Sequence, residues 1–219
     1  MDCYAKGFCK KYGTENCSTF CDLYLKLQVL YDCSNIPKRY RGDIPLVAPQ
    51  TDLSAFKQLN GWKNTIVDKV KEGENLFIWS HTTGNGKTSW AFKIANYYIR
   101  KAVIFSNLEN EVVYINTTRF LEQLKEQFDT PTDEFKELRY RVRHAKLLIL
   151  DDIGSERPME WACERLYELI NERYSEMRTT VFTSNFSPKE LGVRLGDRIG
   201  SRVTSSTVIE LTGQDRRVK

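Results

Sequence analysis

Eight consecutive residues, His81-Thr82-Thr83-Gly84-Asn85-Gly86-Lys87-Thr88, set two glycines, a lysine and a hydroxyl in an order suited to gripping a triphosphate. Glycine at 84 and 86 lets the chain turn so that successive backbone N–H groups face phosphate oxygens, and a helix starting there adds its positive dipole end. Lys87 supplies a mobile cation for the β- and γ-phosphates, and the Thr88 hydroxyl is placed to ligate Mg2+. Ser89 follows directly and joins the binding residues. The short apolar run Asn75–Trp79 before the loop and the helical pattern Ser89–Arg100 after it supply the strand–loop–helix context that a Walker A motif requires. His81 departs from that motif, standing where its first glycine is usual; histidine tolerates left-handed backbone better than most residues. The expected ligand is ATP or ADP with Mg2+.

A second motif, Leu147-Leu-Ile-Leu-Asp151-Asp152, is an apolar strand ending in two acids, the form of a Walker B element. Lying parallel beside the first strand, it would bring Asp151 to the metal, leaving Asp152 to polarise the attacking water.

The third group is cysteine. Cys3, Cys9, Cys17, Cys21 and Cys33 crowd the first 33 residues, and only Cys163 lies beyond. In a reducing compartment such clusters more often bind metal than form disulfides. Cys3, Cys9, Cys17 and Cys21 have spacing that resembles a CCCH-type zinc finger with a final cysteine replacing histidine, and a module this small scarcely buries a core without a metal. Cys33 is a spare thiol or an alternative fourth ligand. Reduced cysteines in a helical hairpin are the plainer reading. Tyr4, Phe8, Tyr12 and Phe20 interleave with Lys6, Lys10 and Lys11, a mixture suited to stacking on single-stranded bases, to docking a partner protein, or to a miniature core.

The scaffold that must hold these groups reads as α/β. The chain has 219 residues, 41 % hydrophobic and 28 % charged, a globular composition. A net charge of +4 is too weak to argue nucleic-acid binding by itself. No apolar run reaches membrane-spanning length and the start is unlike a signal peptide, so a soluble cytoplasmic protein without membrane contact is expected. Residues 1–33 form the Cys-rich module, 34–52 a linker broken by Pro37, Pro45 and Pro49, and 53–219 the main domain. Helical spacing covers 55–71, 89–100, 118–128, 133–144, 159–177 and 188–195; strands fall at 75–79, 112–115, 146–150, 180–183 and 208–211. Five strands alternating with helices imply a parallel sheet between helical layers.

With these motifs in place, the chain resembles the AAA+ ATPases of the DnaC/DnaI type, replicative-helicase loaders, especially their phage and prophage relatives. The resemblance covers roughly residues 35–219. It rests on both motifs and on Ser34–Tyr40, Leu169–Arg173, Phe182–Asn185, Gly196–Arg202 and Leu211–Arg217 in order. It implies that Asn185 is sensor 1, orienting the water or γ-phosphate. It implies that Arg202, paired with Arg198, is the arginine finger that reaches a neighbouring subunit's nucleotide. It implies that Arg217, or Arg216, is a sensor-2 arginine. Only 17 residues follow Arg202, so no C-terminal helical lid is expected. Arg139, Arg141, Arg143 and Lys146 lie where this family inserts an initiator-type helical element and are candidates for DNA phosphate contacts or a solvated face. The implied function is ATP-dependent loading of a hexameric helicase onto single-stranded DNA, with weak hydrolysis as a switch, self-association through the finger, and the Cys-rich module docking the helicase. A transposition helper of the IstB type and a nucleotide-binding adaptor that blocks the host loader or helicase are the rival readings.

Overall fold

A computed structural model describes residues 3–155 and 159–216. Five strands, β1 (Leu76–Trp79), β2 (Val112–Asn116), β3 (Leu147–Asp151), β4 (Thr179–Ser184) and β5 (Thr207–Glu210), form one parallel sheet in the order β2-β3-β4-β1-β5. Strand side chains alternate between two cores. Leu76, Ile78, Leu147, Ile149 and Val181 join one, while Phe77, Leu148, Leu150 and Phe182 join the other. That alternation follows from the two-residue period of a strand buried on both faces.

The first face is covered by α1 (Asp22–Cys33), α2 (Leu53–Asn64), α3 (Ile66–Glu72) and α4 (Lys87–Ala102). The second carries α5 (Thr117–Glu126), α6 (Asp133–His144), α7 (Glu160–Ser175), α8 (Pro188–Leu195) and α9 (Asp197–Thr204). The apolar positions expected on one helix over 55–71, Phe56, Leu59, Trp62, Ile66 and Val70, are all buried, but the helix breaks in two at Thr65. The Thr65 hydroxyl donates back to the Gly61 and Trp62 carbonyls, a bond that competes with continuing the helix. Helix α1 lies inside the segment read as a Cys-rich module, and α9 overlaps a segment read only as a motif.

The N-terminal segments lie against the sheet domain. Ala5, Leu27, Leu30, Tyr31 and Ile36 are buried in the first core. The stretch 34–52, expected as a linker, hydrogen-bonds along β2: the Ser34 carbonyl accepts from Tyr114 N–H at 2.8 Å, and Asn35 Nδ2 donates to the Tyr114 carbonyl at 2.9 Å.

Two backbone contacts stiffen the second face. A Cβ on Gly200 would stand 2.8 Å from the Gly192 Cα, so α8 and α9 touch backbone to backbone. Arg173 of α7 is fully buried and, among the described residues, no carboxylate bonds to it. Its guanidinium donates to the carbonyls of Val142, Arg143, Ala145 and Thr179 and to the Thr180 hydroxyl, at 2.6 to 3.1 Å. It thus closes the negative end of α6. Burial pushes its pKa down to about 9, well above neutrality, so the guanidinium stays charged.

Candidate functional site

The strand ends place the chemistry. Register sets Asn116 opposite Asp151 and Trp79 opposite Ser184, so β1, β2, β3 and β4 finish along one edge of the sheet. This is the edge where open α/β sheets bind ligands. A cavity of about 720 Å³ opens there, lined by Thr83–Ser89, Asp151, Asp152, Asn185 and Arg216 together with Arg39, Tyr40, Leu46, Asn116 and Thr183. Its size suits a nucleotide.

In the loop, Gly84 and Gly86 both have positive φ, 70° and 110°, and Gly86 immediately precedes the first turn of α4. Lys87 is folded back: its Nζ donates to the Ser80 carbonyl at 3.2 Å and the Thr82 carbonyl at 2.8 Å, so the lysine also braces the loop it serves. Asn85 is fully buried and donates to the Ser80 hydroxyl and the Leu211 carbonyl. Its Oδ1 is buried without a hydrogen bond, an open acceptor within the loop. His81 does not take up left-handed backbone, contrary to the role its type suggested. Its ring packs edge-on to Trp79, and its Nε2 lies 3.7 Å from a Glu190 carboxylate oxygen.

The Walker B strand is expected beside the Walker A strand, but β4 lies between them. The two motifs still meet, because α4 crosses the sheet. Thr88 Oγ1 donates to Asp151 Oδ1 at 2.9 Å. Two further hydroxyls that sequence reasoning missed complete the cradle: Thr183 Oγ1 donates to Oδ1 at 2.6 Å and Tyr114 Oη to Oδ2 at 3.1 Å. Burial raises the Asp151 pKa, against the pull of these three hydroxyls. Burial raises that of Tyr114 as well, with the Asp151 charge adding to it, so the phenol stays a donor. Asp152 has φ +60° and accepts from Asn185 Nδ2 at 2.8 Å and from the Ser155 hydroxyl at 2.7 Å. Thr88, Asp151, Asp152, Thr183 and Asn185 thus form one connected polar cluster. A hydroxyl beside an ionised carboxylate, next to left-handed glycines and a lysine, fits a magnesium-bound triphosphate in the chemistry of its donors.

Arg198 and Arg202 lie outside this cavity, on α9. Arg202 Nε and Nη2 donate to Asn171 Oδ1 at 3.2 and 3.1 Å, and its guanidinium lies 4.4 Å from the centre of the Tyr174 ring; Arg198 lies over Tyr167. Arg216 lines the cavity, whereas Arg217 falls outside the described residues. Of the basic helix, Arg141 bonds the Cys33 carbonyl, Arg143 pairs with Glu172, and Lys146 pairs with the buried Glu111. Each of the three is engaged by an acceptor of the fold, while Lys146 stays exposed and Arg141 and Arg143 partly so.

Among the described residues, no group of three or more His, Cys, Asp or Glu side chains is placed to hold a metal. Among the described residues Cys3, Cys9, Cys17 and Cys21 form no disulfide, and Cys3 and Cys9 pack with Tyr4 against the first core. The geometry therefore lends the expected zinc site no support. No helix among the described residues is long and apolar enough to cross a membrane.

Residues 62–210 match the bacterial DnaA ATPase domain family. The chain is 32% identical over 125 residues to the replicative helicase loader DnaI of Bacillus subtilis (strain 168), covering 57% of this chain and 37% of that protein. It is 29% identical over 156 residues to the chromosomal replication initiator protein DnaA of Borrelia garinii subsp. bavariensis, covering 71% and 30%. The chain therefore spans about a third of the length of these curated relatives. Among solved structures, a putative primosome component from Streptococcus pyogenes serotype M3 superposes with a TM-score of 0.65 at 22% identity, covering 86% of this chain and 98% of that one. At that identity the likeness speaks for the fold.

Proposed function

Because the chain belongs to the bacterial DnaA ATPase-domain family, to which residues 62–210 match, we propose that it is an ATPase that loads a hexameric replicative helicase onto single-stranded DNA. The observation that carries the nucleotide half is the meeting of Thr88 with Asp151 at 2.9 Å between two motifs 63 residues apart. Bound Mg2+ would neutralise charge on the phosphates and help orient them. Thr88 and Asp151 would hold that ion, Thr88 directly and Asp151 in its outer shell, and Lys87 would leave the Ser80 and Thr82 carbonyls for a phosphate. Thr183 and Tyr114 keep Asp151 in place meanwhile. Asn185 orients the Asp152 carboxylate, which is left to accept a proton from water. Arg202, or Arg198, serves a second copy's nucleotide, which fits their position outside the cavity of their own chain.

The loader half is supported by the likeness to the helicase loader DnaI. On this reading the protein acts in the cytoplasm of a cell hosting a phage or mobile element, hydrolyses slowly, and uses nucleotide binding and release to change its grip. Residues 1–33 dock the helicase, 34–52 connect, and 53–219 carry the ATPase. Zinc on Cys3, Cys9, Cys17 and Cys21 is a separate proposal supported by spacing alone; metal content after dialysis tests it, and a substoichiometric value removes it. The decisive experiment is co-purification with a hexameric replicative helicase, with and without ATP. An ATP-dependent complex that Lys87→Ala weakens is expected; no complex in either condition defeats the loader reading.

A further inference from the structure

Asp52, at the end of the stretch read as a linker, is 1% exposed. Its carboxylate is answered by chain 160 residues away. Oδ1 accepts from Thr212 N–H at 2.7 Å and from the Thr212 hydroxyl at 2.9 Å, and both oxygens accept from Gly213 N–H at 3.1 Å. A buried carboxylate is tolerated where such bonds replace its water, and they are strong because the acceptor is charged. Gly213 is needed there: a Cβ would stand 2.6 Å from Asp52 Oδ2 and 3.2 Å from Pro49 Cγ.

Pinned at that point, residues 211–216 cross the phosphate loop. The Leu211 carbonyl accepts from Asn85 Nδ2 at 3.2 Å, and Arg216 N–H donates to the Gly84 carbonyl at 3.2 Å. The Asp215 carboxylate lies so close to Gly84 that a Cβ on that glycine would fall 1.8 Å from Oδ1. The Arg216 guanidinium then enters the cavity wall beside Gly86, over the Phe56 ring, with Nη1 donating to the Val47 carbonyl at 3.1 Å.

We propose that Asp52 is a positioning residue for the nucleotide site: it locks residues 211–216 as a strap across the phosphate loop and so fixes Arg216 against the bound nucleoside polyphosphate. This rests on the nucleotide reading above. Neither Asp52 nor Gly213 lines the cavity, so their influence on the ligand runs through the strap.

The test titrates a fluorescent ATP analogue with Mg2+ into the full chain and into Arg216→Ala, Asp52→Ala and the double variant, with unfolding midpoints measured without nucleotide. Arg216→Ala should weaken binding about tenfold, the scale of one lost charge-assisted contact, without moving the midpoint. Asp52→Ala should weaken it at least as much, and the double variant no more than Asp52→Ala alone. Gly213→Ala, which displaces the strap while leaving both charges, should reproduce that loss if Asp52→Ala proves unstable. Wild-type affinity in Arg216→Ala, or losses that multiply in the double variant, would overturn the inference. Lys87→Ala separates the two levels. If it loses affinity while the strap variants do not, only this inference falls; if it binds as wild type, the nucleotide reading falls and this inference with it.

Discussion

At the C-terminal ends of the strands the fold buries a carboxylate, Asp151; near their N-terminal ends it buries a guanidinium, Arg173. Neither has an opposite charge bonded to it. Asp151 is held by three side-chain hydroxyls, from Thr88, Thr183 and Tyr114. Arg173 is held by four backbone carbonyls and one hydroxyl. A hydroxyl rotates about a single bond and can trade its partner for a metal or a water; a carbonyl fixed in a helix end or strand cannot. One end of the sheet can therefore be rearranged by a ligand, and the other is permanent. A buried charge marks a working site here only when the groups around it are free to turn.

The largest effect expected from this contrast is on stability. Arg173→Met should cost about 3–5 kcal/mol in chemical denaturation at pH 7, because it strands several buried carbonyls. The folded fraction should keep its nucleotide affinity; a loss of affinity would mean that the two ends are not separate in role. Asp151→Asn should do the reverse. Turnover should fall about a hundredfold or more, as for loss of a group that organises the metal, while the nucleotide-free protein becomes more stable. The sign follows from the raised pKa: burial penalises the ionised form, and that penalty is fully present above the folded pKa and relieved as pH drops through it toward the unfolded value. The stability advantage of Asn should therefore shrink on acidification in paired thermal melts, and an advantage that grows instead would contradict the assignment. Tyr114→Phe should be milder, costing about 0.5–1.5 kcal/mol. With one donor gone, the acid limb of the turnover–pH profile should move to higher pH; a fixed limb would mean that Asp151 does not govern it. Arg202→Ala should have the smallest effect on the isolated chain, removing its bonds to Asn171 and leaving the midpoint nearly unchanged. Any rise of specific activity with protein concentration should disappear in that variant, as followed by phosphate release, and its persistence would clear Arg202 of a role between copies.

What was legible beforehand followed from local rules. The phosphate loop announces itself through glycines, lysine and threonine in an unbroken run, and β3 through four apolar residues before two acids. Helix α8, expected over 188–195, is found at Pro188–Leu195, where proline opens it behind Ser187 and a capping box with Glu190 fixes its start. What escaped depends on partners distant in sequence. Tyr114 and Thr183 meet Asp151 only once β2, β3 and β4 align, and nothing in either local pattern separates them from ordinary strand residues. The insertion of β4 between the two motif strands is likewise a property of the crossovers, which local pattern does not encode. Asp52 and Gly213 look like turn chemistry until they are placed together. The cysteine segment shows the same limit: spacing alone suggests ligands, whereas the contact of Cys3 and Cys9 with a core already supplied by the sheet depends on residues far along the chain.

The contact of Gly192 with Gly200 bears on how this face can move. Helix α8 begins three residues after Asn185, and α9 carries Arg198 and Arg202. With no side chains cushioning that crossing, the helices cannot slide past one another without backbone collision, so the pair behaves as a single stiff lever. One of its ends follows Asn185, which bonds the Asp152 carboxylate, and the other carries Arg198 and Arg202 against Tyr167 and Tyr174 of α7. A shift of the Asn185 loop would thus reappear at the arginines as a rotation of the whole lever rather than be absorbed between the two helices.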